Sequence, residues 1–179
     1  DVNGSIYTYT RAICQRKLVM PLFKKIVILS CVFVFLSSAQ TALAAIEGKV
    51  IAITDGDTLR VVDHKNIQHK IRLAEIDTPE KGKPYGQKAK EALSDLVFGK
   101  MVRVDVVTTD KYNRLVGHIY LNDLHVNKEM VRLGAAWAYR QYLKDKSFLD
   151  IEEEAHAATR GLWALSEAQN VPPCEMLCR

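Results

Sequence analysis

Between residues 46 and 121 the apolar side chains recur at every second position in short runs, and this pattern narrows the fold more than any other feature. Such runs read as strands with one face buried. Residues 46–54 predict a first strand, with Val50 and Ala52 on one face and Ile51 and Ile53 on the other. Residues 58–62 and 67–76 predict the second and third, joined by a turn at Asp63-His64-Lys65-Asn66, where Asp and Asn are turn formers. His64 and His69 are expected at the surface of this hairpin. Residues 101–108 and 114–121 predict the fourth and fifth strands, with Gly117 marking a bend where the sheet curls.

The apolar period becomes helical once inside this series. Ala89, Ala92, Leu93, Leu96 and Val97 lie on one helix face, and Gly99 closes it. Two further helices follow the fifth strand. One is expected to be N-capped by Asn127, to carry Met130, Val131 and Leu133, and to end at Gly134. The other carries Phe148, Ile151, Ala155, Ala158 and Leu162 and ends at Gly161. On its outer face Glu152-Glu153-Glu154 reads as a solvated stripe, and Trp163 is expected to anchor its end on the core. Five short strands and three helices make an α+β chain. Five strands can remove their exposed edges by closing into a small barrel.

The polar residues that interrupt this pattern are concentrated between Asp55 and Glu80. Asp55-Gly56-Asp57-Thr58 precedes the second strand, and Arg72-Leu73-Ala74-Glu75-Ile76-Asp77-Thr78-Pro79-Glu80 ends the third. Strand ends hold side chains rigidly and leave them open to water. Asp57 and Asp77 can converge on one hard cation, for which carboxylate oxygens are the natural ligands. Arg72 offers a planar fork that matches a phosphate, provided the chain turns before Asp77. Pro79 stiffens the approach to Glu80. Cation, guanidinium and spare carboxylate are the parts needed to hydrolyse a phosphodiester. The same residues also suit a set of solvated turn acids, because Asp-Gly and Asp-Thr-Pro are common turn chemistry.

Together with Asp110-Lys111-Tyr112-Asn113-Arg114, these segments resemble the signature segments of the staphylococcal nuclease (thermonuclease) family, in order and at similar spacings, over about residues 46–165. The resemblance implies a five-stranded OB-fold β-barrel with three α-helices. It implies that Asp57, Asp77 and the carbonyl of Thr78 ligate Ca2+, with Asp55 supporting them. It implies Arg72 and Arg114 as phosphate-holding catalytic residues, Glu80 as the general base, and Lys111 and Tyr112 as the lining of the substrate groove. Tyr139 and Tyr142 are candidates for stacking on a base. The local sequence around Tyr139 and Arg140 departs from the best-known member of the family, and the loop from Glu80 to Tyr85 is shorter than in that member. The implied activity is a calcium-dependent endonuclease acting on DNA and/or RNA with little sequence specificity. The alternatives are a non-catalytic OB-fold module that binds nucleic acid or protein, and a metal-stabilised exported domain with a structural role. The presence of Asp57, Arg72, Asp77, Glu80 and Arg114 together favours the enzyme.

The flanks add a destination. Lys24-Lys25, the apolar run at 26–36 and Ala42-Leu43-Ala44 have the form of a secretory signal peptide, with the cut expected after Ala44 and Met20 as a natural start. The run is short against the roughly 20 residues of a bilayer span. Residues 1–44 are therefore expected to be a leader, 45–165 the folded domain and 166–179 a tail. The released domain is expected to be a secreted or periplasmic monomer without stable membrane association. Residues 1–44 hold five of the 25 basic and one of the 21 acidic residues, which leaves the rest of the chain balanced at 20 of each. Affinity for nucleic acid must then come from local charge. Cys14 and Cys31 fall in the leader, while Cys174 and Cys178 in the tail could pair in an oxidising compartment.

Overall fold

A computed structural model describes residues 45–166. The expected leader at 1–44, and Cys174 and Cys178 with their expected pairing, lie outside the described residues. The main sheet contains β1 (Ala45–Ile53), β2 (Thr58–Asp63), β3 (Gln68–Leu73), β5 (Met101–Thr109), β6 (Leu115–Leu121) and the short β7 (Leu124–His125). Its order is β3-β2-β1-β5-β6-β7, and a parallel pairing of β3 with β6 closes five of these strands into a barrel. The other pairings are antiparallel. A separate pair, β4 (Ile76–Asp77) and β8 (Trp137–Ala138), lies apart from the barrel sheet. The helices are α1 (Gly86–Val97), α2 (Val126–Arg132) and α3 (Ser147–Ala157). The expected α+β barrel with three helices is therefore the fold.

The core sits inside the barrel and beneath the helices. Val50, Leu59, Val61, Ile71, Leu73, Val104 and Ile119 point inward from the strands, and Leu93, Val97, Met130 and Phe148 cover them from the helices. Closure demands curvature, and two bulges supply it. One lies between Val50 and Ala52, the other between Val106 and Thr108. The first corrects the expected alternation of β1. Val50 pairs with buried Val61 and Ile53 with buried Leu59, whereas Ala52 pairs with exposed Arg60. Ala52 therefore faces away from Val50, because the bulge at Ile51 resets the pleat. Gly117 stands at the second bend, where an added Cβ would meet the Asp105 carbonyl oxygen at 2.8 Å.

The expected third strand is also corrected. It stops at Leu73, and a turn at Ala74-Glu75, with Glu75 in the left-handed region at φ 63°, redirects the chain into β4. The Ala74 amide bonds to the Gly117 carbonyl at 2.8 Å as the chain leaves the barrel. Asn127 is not the cap of α2. His125 holds that place, its Nδ1 accepting from the Lys128 amide at 3.3 Å. Asn127 is fully buried and bonds to the Ile119 amide (2.9 Å) and to the carbonyls of Ala74 (2.9 Å) and Gly117 (3.2 Å). It fastens the turn after β3 to β6.

The acidic stripe on α3 is only partly solvated. Glu153 and Glu154 are exposed, but Glu152 is buried, accepting from the Ala138 amide at 2.8 Å and from Arg140 Nη2. The helix ends before Ala158, and Thr159 at φ 54° leads into a 3-10 turn at Gly161–Ala164. There Leu162 is the fully buried anchor, while Trp163 packs edge-on against His156 at 4.8 Å. His64 is exposed as expected, and His69 Nε2 lies 2.9 Å from Asp63 Oδ2.

Candidate active site

The candidate site forms where three loops meet at one end of the barrel. The first is the tight turn between β1 and β2. The amides of Thr54 and Asp55 bond to the Thr58 carbonyl at 2.8 and 3.3 Å, and the Asp57 amide bonds to Asp55 Oδ1 at 3.2 Å. Asp55 thus holds the backbone of Asp57. Gly56 allows the turn to pack closely, since an added Cβ would lie 2.9 Å from Thr78 Oγ1 and 2.8 Å from Ala89 Cβ on α1. The second segment is the end of β3 with β4. Thr58 and Arg72 are cross-strand partners, and the Leu73 amide bonds to the Asp57 carbonyl at 2.8 Å. The left-handed turn at Glu75 then returns the chain so that Asp77 reaches Arg72.

Arg72 lies between the two acids. Its Nη1 donates to Asp57 Oδ2, and its Nη2 donates to Asp77 Oδ1 at 2.9 Å. The three side chains are 19, 6 and 13% exposed, so the ion pairs are largely shielded from water. Asp57 also accepts from Thr58 Oγ1 at 2.8 Å. Burial drives the Asp57 carboxyl upward from its usual range, against the pull of Arg72 and with a smaller push from Asp55. Burial raises Asp77 too, against its hydrogen bond and charge pairing with Arg72. On Arg72 the opposing effects resolve the other way: burial disfavours its charge, but Asp57 and Asp77 outweigh it, and the guanidinium stays ionised.

The third segment is the loop between β5 and β6, and Asp110 organises it. Asp110 Oδ1 accepts from the amides of Tyr112 and Arg114, both at 2.9 Å, and its Oδ2 accepts from Arg114 Nε at 2.7 Å. The Asp110 amide and the Arg114 carbonyl close the loop at 2.9 Å, and Asn113 takes the left-handed position at φ 61°. Burial would raise the Asp110 carboxyl, but these hydrogen bonds hold it below its usual range. With Nε fixed, Arg114 turns its Nη1 toward Thr58 Oγ1 at 3.4 Å, into the Asp57 cluster. Asp110 is the residue that sequence reasoning missed. Its place at the head of an Asp-x-x-Asn turn was the available signal.

The remaining expected residues are at the rim. Thr78 is buried beside Gly56. Glu80 is exposed just beyond it, and its side chain makes no hydrogen bond or ion pair with the described residues. Its backbone is crowded by Gly86, where an added Cβ would sit 2.4 Å from the Glu80 carbonyl oxygen. Tyr112 is 67% exposed, with Lys111 Nζ 5.1 Å and Arg114 Cζ 5.5 Å from its ring centre. Tyr139 and Tyr142 pack edge to face at 4.9 Å.

The donor set fits a hard cation. Two carboxylates converge to within the span of one guanidinium, and Thr78 adjoins the same turn. Among the described residues no three His, Cys, Asp or Glu side chains form a ligand cluster. A cation held by Asp57 and Asp77 would therefore be completed by a backbone carbonyl and water.

Comparison with known proteins identifies the family. Residues 70–165 match the family described as staphylococcal nuclease homologue. A Haemophilus influenzae protein named "uncharacterized endonuclease" is 41% identical over 141 residues, covering 79% of each chain. An Escherichia coli protein of the same name is 41% identical over 140 residues, covering 78% of this chain and 90% of its own. A Shigella flexneri protein named "micrococcal nuclease" is 37% identical over 139 residues, covering 72% of this chain and 79% of its own. With a matched domain spanning the barrel strands β3 to β6, the two arginines and the helices behind them, this chain belongs to the staphylococcal nuclease family.

Proposed function

We propose that the protein is an exported, calcium-dependent endonuclease that hydrolyses phosphodiester bonds of DNA and/or RNA with little sequence preference. The observation that carries this reading is the convergence of Asp57, Arg72, Asp77 and Arg114 at one end of the barrel. A phosphodiester is anionic and repels hydroxide, so hydrolysis needs positive charge fixed around the phosphate before the bond is made.

Asp57, Asp77 and the carbonyl of Thr78 would hold Ca2+, which when bound supplies charge neutralisation at the phosphate. Ca2+ tolerates the irregular, water-rich shell that two carboxylates and a carbonyl leave, whereas Mg2+ demands a regular octahedron. Arg72 and Arg114 hold the non-bridging phosphate oxygens through their planar N–H forks and stabilise charge as the phosphorus becomes pentacoordinate. Asp110 keeps Arg114 in that orientation. Glu80, exposed at the rim and unengaged by the described residues, takes the proton from the attacking water. Lys111 and Tyr112 line the approach, the ring packing against sugar or base and the ammonium against the backbone. Little in this set reads base edges, which fits weak sequence preference.

Export rests on the leader pattern at 20–44 and places the mature enzyme outside the inner membrane, secreted or periplasmic. Among the described residues no helix is long and apolar enough to cross a membrane. We read the mature protein as a monomer. The test is cleavage of plain single- and double-stranded DNA and of RNA by the purified chain. Activity with Ca2+ that stops on chelation and returns with added Ca2+ is expected. A chain that binds the same nucleic acids without cutting them in Ca2+ would be a binding module instead.

A further inference from the structure

One buried acid beside the site takes no part in the chemistry above. Glu75 is 9% exposed, and its backbone occupies the left-handed region at φ 63°, where an L side chain is normally disfavoured. Its carboxylate is not a cation ligand in this arrangement. Instead Oε2 accepts from the Asp145 amide at 3.2 Å, and Oε1 lies 3.9 Å from His118 Nε2. Its carbonyl accepts from the Tyr139 amide at 2.9 Å. One residue therefore pins both ends of the segment from Tyr139 to Asp145.

That segment leaves directly from β8, whose Trp137 is the register partner of Asp77. It presents Tyr142, 60% exposed and braced edge-on by Tyr139, and the exposed Lys144. An exposed aromatic face and an exposed lysine on one loop suit the bases and backbone of a nucleic-acid strand. Asp145 is tied further by Lys128 at 2.8 Å and by the first amide of α3 at 2.9 Å, so the hydrogen bond from its amide to Glu75 links Glu75 to a residue held by both helices.

We propose that Glu75 is a positioning residue: through its carboxylate and carbonyl it fixes the 139–145 loop against β4, and so sets the face on which the substrate strand lies next to Asp77. The proposal rests on the nuclease reading for the identity of the strand, but not for the loop's dependence on Glu75. Fixing the loop in advance spares the ordering cost at binding. Loss of the carboxylate should then weaken substrate binding and leave the chemical step intact.

The test uses the full chain with three substitutions. Glu75→Gly removes the carboxylate and eases the left-handed backbone. Glu75→Asn also tolerates that backbone but is too short to reach Asp145, and it carries the test should Glu75→Gly fail to fold. Glu75→Gln keeps an acceptor at the same distance. Amide hydrogen exchange at Asp145 should speed up by about tenfold in the first two and stay near wild type in Glu75→Gln. On a single-stranded oligonucleotide, KM should rise about fivefold in the first two with kcat and Ca2+ affinity within about twofold, and Glu75→Gln should restore it. Unchanged exchange at Asp145 in Glu75→Gly and Glu75→Asn would overturn the proposal. So would a fall in kcat and Ca2+ affinity together, which would place the effect on Asp77, or a Glu75→Gln that behaves like Glu75→Gly. A wild-type chain that cuts nothing would defeat the nuclease reading alone, since the exchange experiment needs no activity.

Discussion

Asn127→Ala should cost this fold about 3 kcal/mol, through the loss of polar partners rather than of apolar packing. Asn127 is fully buried, and its amide joins three backbone groups. Removal orphans the Ile119 amide and the Ala74 carbonyl. The Gly117 carbonyl keeps its bond from the Ala74 amide at 2.8 Å and does not count. Each unsatisfied buried backbone group costs about 1–3 kcal/mol, so two of them give about 2–6 kcal/mol, with water entry into the vacated space favouring the lower half. For a domain of this size the melting temperature should drop by roughly 10 °C. Urea unfolding of wild type and Asn127→Ala at pH 7 gives the difference directly, provided the slope m is unchanged. Asn127→Asp supplies the internal control. Aspartate keeps an acceptor for the Ile119 amide but turns a buried negative charge toward two carbonyls, so it should be at least as damaging as alanine. A loss under about 1 kcal/mol for Asn127→Ala, or a milder effect for Asn127→Asp, would mean that the Ile119 amide and the Ala74 carbonyl do not depend on this side chain.

Three further outcomes follow from particular side chains. Glu80→Gln keeps size and hydrogen bonding but removes basicity, so kcat should fall by roughly 10²-fold with substrate affinity held, as single-turnover kinetics beside a binding titration would show. Asp110→Ala releases Arg114 Nε from its 2.7 Å anchor, and kcat should fall by about tenfold or more, while Asp110→Asn, which keeps an acceptor, should lose less. His125 is held down to about 4 by burial first, then by the neighbouring charges of His118 and Lys128. Its neutral form is the one that the fold favours, so its contribution is complete above about pH 6.5 and is lost as the pH falls toward 4. Urea unfolding should therefore weaken between pH 7 and 4.5, and His125→Asn, which can still cap α2, should lose less over that interval.

The barrel was legible because its strands alternate and its turns carry Asp, Asn and Gly where the chain must reverse. Periodicity places Val102 and Val104 inside without help from tertiary context. It fails at Ala52, because a bulge is one extra residue and leaves no compositional mark at Ile51. It fails again after Leu73, where β-like residues run on through Ile76 but the barrel has already closed on β6. The conformational signal there was weak, since Glu rather than Gly or Asn occupies the left-handed position. Asn127 reads as a cap because Asn is a good cap. Its burial depends on carbonyls from β6 and the β3 turn, far away in sequence. Glu152 looks like part of a solvated stripe for the same reason, because its partner amide belongs to Ala138. At the site, Asp57, Arg72, Asp77 and Arg114 were legible through the three segments that resemble the family, since on their own the same residue types suit solvated turns. Asp110, which holds Arg114, was marked only by its Asp-x-x-Asn turn, and the close packing at Gly56 became legible in three dimensions.

On the proposed reading, the guanidinium between Asp57 and Asp77 serves the transition state of phosphodiester hydrolysis. Arg72→Lys isolates that role, since it keeps the charge and loses the planar fork. The measurement is the single-turnover cleavage rate of a DNA oligonucleotide at saturating Ca2+, with nucleic-acid affinity and melting temperature determined on the same samples. The rate should fall by about 10²-fold or more while affinity stays within about threefold. A folded Arg72→Lys protein that cleaves at the wild-type rate would contradict the account, and would leave Arg72 as a structural bridge between two acids.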